Sequence, residues 1–171
     1  DLSLDENLET VFWNTNTGGD PVAMGKILRS PYILVGMSDA GAHVQFAADF
    51  GYGTTLLALW VRERRVLSLE QAVYKLTFHI ASVFGLEGRG LVRPGYAADL
   101  AIFDPNTVRA CAPEWANDYP AETNRLIQRS EGMHYTIVNG RVICEDGRLS
   151  GELPGQILRG TAHSATKAAA A

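Results

Sequence analysis

In the stretch HYTIVNGRVICEDG, His134 to Gly147, the dipeptide Asn139-Gly140 stands between two β-rich runs. Asparagine and glycine tolerate the positive φ of a two-residue turn, so this is the strongest short-range hairpin signal a sequence carries. A second compact strand, ADLAIFD from Ala98 to Asp104, is entered from Pro94-Gly95 and left by Asp104-Pro105. The end of the chain is therefore committed to β-structure. Between these strands, Asn106 to Gly132 carries Pro113, Trp115 and Pro120 and no sustained period. It reads as irregular structure with a short helix near Glu122 to Arg129.

Upstream the period changes. Ser68, with Gln71 three residues on, forms a capping box. Behind it Leu69, Ala72, Val73, Leu76, Ile80, Val83 and Phe84 fall at offsets 0, 3, 4, 7, 11, 14 and 15. That is the apolar stripe of one helix, and Gly85 ends it. Thr54 to Arg65 reads as a helix with Leu56, Leu57, Trp60 and Val61 on one side and Arg62, Glu63 and Arg64 at its solvated end. Asp20-Pro21 is an N-cap followed by proline at the first helical position, which opens a short helix to about Arg29. Ser30-Pro31 ends it. Tyr32 to Gly36 is a short continuous apolar run, the pattern of a strand covered on both faces. The opening residues Asp1 to Asp20 are polar and loop-rich, and Thr161 to Ala171 reads as a small, mobile tail. The order is helix, strand, two helices, then an all-β end: the last part of an α/β unit joined to a small β domain.

Composition excludes several classes. A chain of 171 residues with 46% hydrophobic content can bury one substantial core. Fifteen basic and 19 acidic residues give a formal charge of −4, and no basic block exceeds Arg64-Arg65, so there is no nucleic-acid surface. The longest apolar runs are too short to span a bilayer, and no signal layout opens the chain, which reads as soluble and not membrane-bound. Cys111 and Cys144 lie far apart in no metal-type spacing, as buried thiols in a reducing, cytoplasmic setting would.

The run Tyr32 to Gly36 leads into Ser38-Asp39-Ala40-Gly41. An acidic residue among small ones is either a turn residue bonded to its own backbone or a carboxylate displayed at the mouth of a site. From spacing alone both readings stand. His43, four residues on, is either a substrate contact or a packed loop histidine. Gly51-Tyr52-Gly53-Thr54-Thr55 lacks the lysine and the glycine spacing of a phosphate loop and reads as a flexible loop. His79 lies off the apolar stripe, as a surface or helix-packing residue. His134 and His163 have no neighbouring ligands, and Trp13, Trp60 and Trp115 read as core or interface residues.

GLEGRGLVRPGYAADLAIFDPNTV, Gly85 to Val108, resembles the junction by which enzymes of the amidohydrolase superfamily leave their catalytic barrel and re-enter a small β-sandwich. YTIVNGRVICEDG, Tyr135 to Gly147, resembles the closing hairpin of that sandwich. LVGMSDAGAHV, Leu34 to Val44, is similar to the last barrel strand with its aspartate, in the form of the N-acyl-D-amino-acid deacylase, or D-aminoacylase-like, branch. The resemblance implies residues 1–90 as the end of a TIM barrel, with strand 8 and its helices, 91–160 as a β-sandwich segment and 161–171 as a flexible tail. It also implies a metal-dependent hydrolase of non-peptide amide bonds, with N-acyl-D-amino acids or related small amides as substrates. Zinc or another divalent metal would activate water by lowering its pKa to about 7. Asp39 would take that water's proton and hand it to the leaving nitrogen, with His43 as a candidate substrate contact. Asp39 is also a possible metal ligand, in the complete site only.

The family's full site needs a His-x-His pair, a ligating Lys, Cys or Glu, and two further histidines. This sequence has histidines only at 43, 79, 134 and 163, no two closer than 29 residues. An eight-unit barrel takes about 250 residues, and here one unit precedes the β end. The expectation is therefore the C-terminal part of an amidohydrolase, inactive alone and holding no metal tightly. An unpaired barrel strand would leave it oligomeric, poorly soluble or in need of a missing N-terminal part or partner chain. A different class of reading is a stand-alone α+β module that binds a partner without catalysis. A metal-independent hydrolase built on Ser38, Asp39 and His43 is disfavoured, because one short loop rarely gives the geometry of nucleophile, base and orienter.

Overall fold

A computed structural model of the chain describes residues 2–7, 10, 19–41 and 49–160. After a single turn, α1 (Leu2–Asp5), helix α2 (Pro21–Arg29) starts as its sequence dictates. Asp20 caps it, its carboxylate accepting from the Val22 amide at 2.9 Å, with Pro21 in the first turn where no N–H is needed. Ser30 closes the helix with its amide on the Ile27 carbonyl.

The segment 30–41 contains no strand, contrary to the reading of Tyr32 to Gly36. A strand exists only as part of a ladder, and none of the described residues lies alongside to pair with it. Val35 packs against the core, while Tyr32 and Met37 are 90% and 93% exposed.

Residues 49–55 are helical rather than a loop, with a 3-10 turn (Asp49–Gly51) leading into α3 (Tyr52–Thr55). The chain then widens into a π-helix over Leu56–Glu63, closed by the Arg64 amide on the Leu59 carbonyl at 2.8 Å. Leu56, Leu57 and Ala58 point inward, and Trp60 and Val61 pack beside them. The capping box at Ser68 forms: the Gln71 amide donates to Ser68 Oγ, and the Ser68 amide donates to Gln71 Oε1 at 2.9 Å. The long helix expected behind it is broken in two, α4 (Leu69–Leu76) and α5 (Phe78–Val83). Thr77 sits between them at φ −126°, ψ −92°, its hydroxyl turned back onto the Val73 carbonyl at 2.7 Å. A β-branched residue bonding to the preceding turn in this way loosens a helix.

The remainder is antiparallel β. Strands β1 (Leu100–Phe103), β6 (Met133–Val138), β7 (Arg141–Glu145) and β8 (Arg148–Leu149) form a sheet in the order β1-β6-β7-β8. The Asn139-Gly140 turn joins β6 to β7, with both residues at positive φ (47° and 77°). A short pair joins β2 (Arg109–Ala110) to β5 (Ser130–Glu131). The segment read as irregular with a helix near 122–129 is instead a hairpin of β3 (Glu114–Tyr119) and β4 (Thr123–Ile127). Trp115 faces Leu126, which is buried, and Arg125 forks onto Asp118 across the hairpin at 2.5 and 2.7 Å. These contacts between strands override the weak local helix signal.

The core unites both regions. Leu28, Leu56, Leu57 and Ala72 from the helices, with Leu67 from the bend before α4, surround Val108, which is fully buried in the turn between β1 and β2. Arg62 reaches across from the π-helix and donates to the carbonyls of Val108, at 2.8 Å, and Pro105. Cys111 and Cys144 are free and half-buried. Among the described residues, no helix is long and apolar enough to cross a membrane. The tail from residue 161 lies outside the described residues.

Candidate active-site segment around Asp39

Asp39 stands exposed near the end of the segment that leaves α2. The local turn is capped by its neighbour: Ser38 Oγ accepts from the Ala40 amide at 3.3 Å. Among the described residues, nothing hydrogen-bonds the Asp39 carboxylate. Its side chain is thus not occupied with its own turn there, and the small residues Ala40 and Gly41 follow it.

The segment is held from below by α4. Lys75 is 5% exposed, and its Nζ donates to the Ser30 carbonyl at 2.7 Å and the Ile33 carbonyl at 3.1 Å. Burial pushes the Lys75 pKa below its ordinary value. Further along, Gly36 lies so close to α5 that a Cβ there would sit 3.1 Å from Ile80 Cδ1. The sequence pattern hid Lys75. The buried face of α4–α5 runs through Ala72, Lys75 and His79, whereas Val73, Val83 and Phe84 of the apolar stripe are exposed. Only the spacing of three and four residues from Ala72 to His79 could have suggested it.

His79 is packed between helices rather than at the surface, stacked on Tyr74 with ring centroids 5.2 Å apart, and its Nδ1 has no hydrogen-bond partner among the described residues. His134 pairs with Asp146 at 3.0 Å in the β-region. His43, His163 and Trp13 lie outside the described residues. Trp60 packs against the core with Arg64 5.3 Å above its ring, and Trp115 lies in the β3–β4 hairpin. Asp39 and the described histidines therefore do not converge. Among the described residues, no group of three or more His, Cys, Asp or Glu could hold a metal ion. The described residues alone therefore do not make up a metal site.

A separate groove of about 770 Å³ runs between the helices and β1, floored by Leu57, Leu76, Phe103 and Met133 and rimmed by Val73, Phe78, Leu91 and Val92. None of residues 30–41 lines it. Asp99, at its edge, accepts from the Asn139 amide and pairs with Arg89.

The chain is similar to several known proteins. It is 38% identical over 143 residues to an N-acyl-D-aspartate deacylase of Alcaligenes xylosoxydans xylosoxydans, covering 81% of this chain and 26% of that protein. A D-aminoacylase of the same organism is 36% identical over 107 residues, covering 63% of this chain and 20% of the other. The crystal structure of a D-aminoacylase, described as defining a novel subset of amidohydrolases, superposes with a TM-score of 0.51 at 36% identity, covering 64% of this chain and 21% of that one. The chain thus spans about a fifth to a quarter of the length of these two curated relatives. Residues 7–144 match the amidohydrolase family, and the chain belongs to that family.

Proposed function

We propose that these residues serve in a metal-dependent hydrolase of amide C–N bonds acting on N-acyl-D-amino acids, with Asp39 as the carboxylate that moves the proton. In this reading residues 1–90 form the end of a catalytic barrel, residues 91–160 a segment of its β-sandwich and 161–171 a tail. Asp39 takes a proton from the attacking water and returns it to the leaving nitrogen, a single group serving as base and then acid. His43 contacts the substrate. Zinc or another divalent ion would be held by residues outside those described, so the work assigned to this chain is the proton transfer at Asp39.

The observation that carries the reading is the state of Asp39: an exposed carboxylate, unpaired among the described residues, in a turn that Ser38 already caps. Similarity to an N-acyl-D-aspartate deacylase and a D-aminoacylase supports the substrate class. The exposed apolar residues Val73, Val83, Phe84 and Val92 support further covering chain in the whole protein, since solvated surfaces rarely carry such patches. Two free thiols fit a reducing cytoplasm.

The test is turnover by the whole protein, supplied with zinc, on N-acetyl-D-aspartate, N-acetyl-D-glutamate, N-acetyl-D-leucine and their L-enantiomers. Release of free amine from at least one D-substrate supports the reading. No release from any member of the panel contradicts it.

A further inference from the structure

We propose that Lys75 is a positioning residue for Asp39: its buried amine clamps the carbonyls of Ser30 and Ile33 and thereby fixes the height and rotation of the segment from which Asp39 projects. The inference rests on the reading of Asp39 as the proton-transfer carboxylate.

Among the described residues, segment 30–41 has no ladder hydrogen bonds, and beyond the Ser30 amide that closes α2 its polar tie to the rest of the molecule is the Lys75 amine. The two carbonyls are three residues apart, so one Nζ touching both sets where the segment lies along α4 and which way it is turned. Asp39 follows Ile33 by six residues, so a slip of the segment along α4 would displace it. Apolar contacts of Val35 and of Gly36 with Ile80 hold the segment down but do not choose its register. A lysine is a costly means of filling this space. Taking an ammonium out of water carries a desolvation penalty, and a methionine of similar length would pack there without it. What methionine lacks is the pair of donors aimed at the backbone that leads to Asp39.

The test uses the whole protein with three variants: Lys75→Met, which keeps the stem, Lys75→Ala, which deletes it, and Asp39→Asn. Lys75→Met is expected to lower kcat by about 100-fold with KM nearly unchanged, the loss that a misplacement of about 1 Å brings. In Lys75→Ala, propylamine, which replaces the deleted atoms, is expected to restore kcat, whereas sodium chloride at equal ionic strength does not. Two results would overturn the proposal: kcat in both Lys75 variants within about twofold of the parent, a change too small for a shift of that size, or a loss that follows a lowered melting temperature and ignores the amine. An inactive Asp39→Asn beside a fully active Lys75→Met removes Lys75 alone. An active Asp39→Asn removes the reading of Asp39 and this inference with it.

Discussion

The backbone amide of Asn139 donates to Asp99 Oδ1 at 2.8 Å, tying the turn of the β6–β7 hairpin to the residue just before β1. The other Asp99 oxygen takes the Arg89 guanidinium. One carboxylate thus fastens the glycine-rich turn after α5, the start of β1 and the hairpin turn.

Burial pushes the Asp99 pKa up, but the Asn139 amide and Arg89 outweigh it, and the net value lies below the usual carboxylate range. A lowered folded-state value means that the stabilisation is present above the unfolded pKa of about 3.9 and is lost as pH falls through the folded value. Asp99→Ala is expected to cost about 1–2 kcal/mol at pH 7, the size of a hydrogen bond with its orphaned donor. Urea unfolding of parent and variant at pH 7 and at pH 3 checks this: the gap should shrink in acid. A gap independent of pH would mean that the carboxylate's charge does not matter.

Gly132 lies at φ +71°, where an added Cβ would sit 2.4 Å from the Val108 nitrogen. Gly151 has a similar φ of +83° and open space around it. Both positions strain an alanine by about 1–2 kcal/mol. Only Gly132→Ala adds a clash with backbone next to the fully buried Val108, so it should lose at least about 3 kcal/mol or fail to fold. Thermal melts of the two variants side by side give the comparison.

Ser68→Ala removes the acceptor for the Gln71 amide at the start of α4. A loss of about 1 kcal/mol is expected, as for other N-caps. Ser68→Asp should recover most of it, because the carboxylate can accept the same amide and favours a helix N-terminus. Denaturation midpoints measure both.

Lys75 adds a dependence in the alkaline range. Burial lowers its folded-state pKa, so between that value and the unfolded value of about 10.4 the folded chain has shed a proton that the unfolded chain still holds. Stability from this group therefore rises with pH through that window, and the neutral amine keeps two N–H donors for its two carbonyls. Lys75→Met should flatten this rise in urea midpoints taken towards pH 10. An unchanged slope would assign the rise to other groups.

The elements that could be read from the sequence are those whose cause is local. Asp20-Pro21, the Ser68–Gln71 box and Asn139-Gly140 each fix their own backbone, and each stands where it was expected. The misread elements depend on distant partners. Residues 123–127 become a strand because β3 lies beside them, and 32–36 form none because nothing described does. At the candidate site, Asp39 was visible as an acidic residue among small ones. Lys75 was not, because its role lies in two carbonyls more than 40 residues away.

The most direct test of the account replaces Asp39 by asparagine in the whole protein and measures kcat/KM on the best N-acyl-D-amino acid, with circular dichroism and metal content as controls for folding and loading. The account predicts an unchanged fold and metal content with kcat/KM lower by about 10²- to 10⁴-fold, the contribution of a positioned acid–base group. Turnover close to that of the parent would contradict it and remove Asp39 from the chemistry.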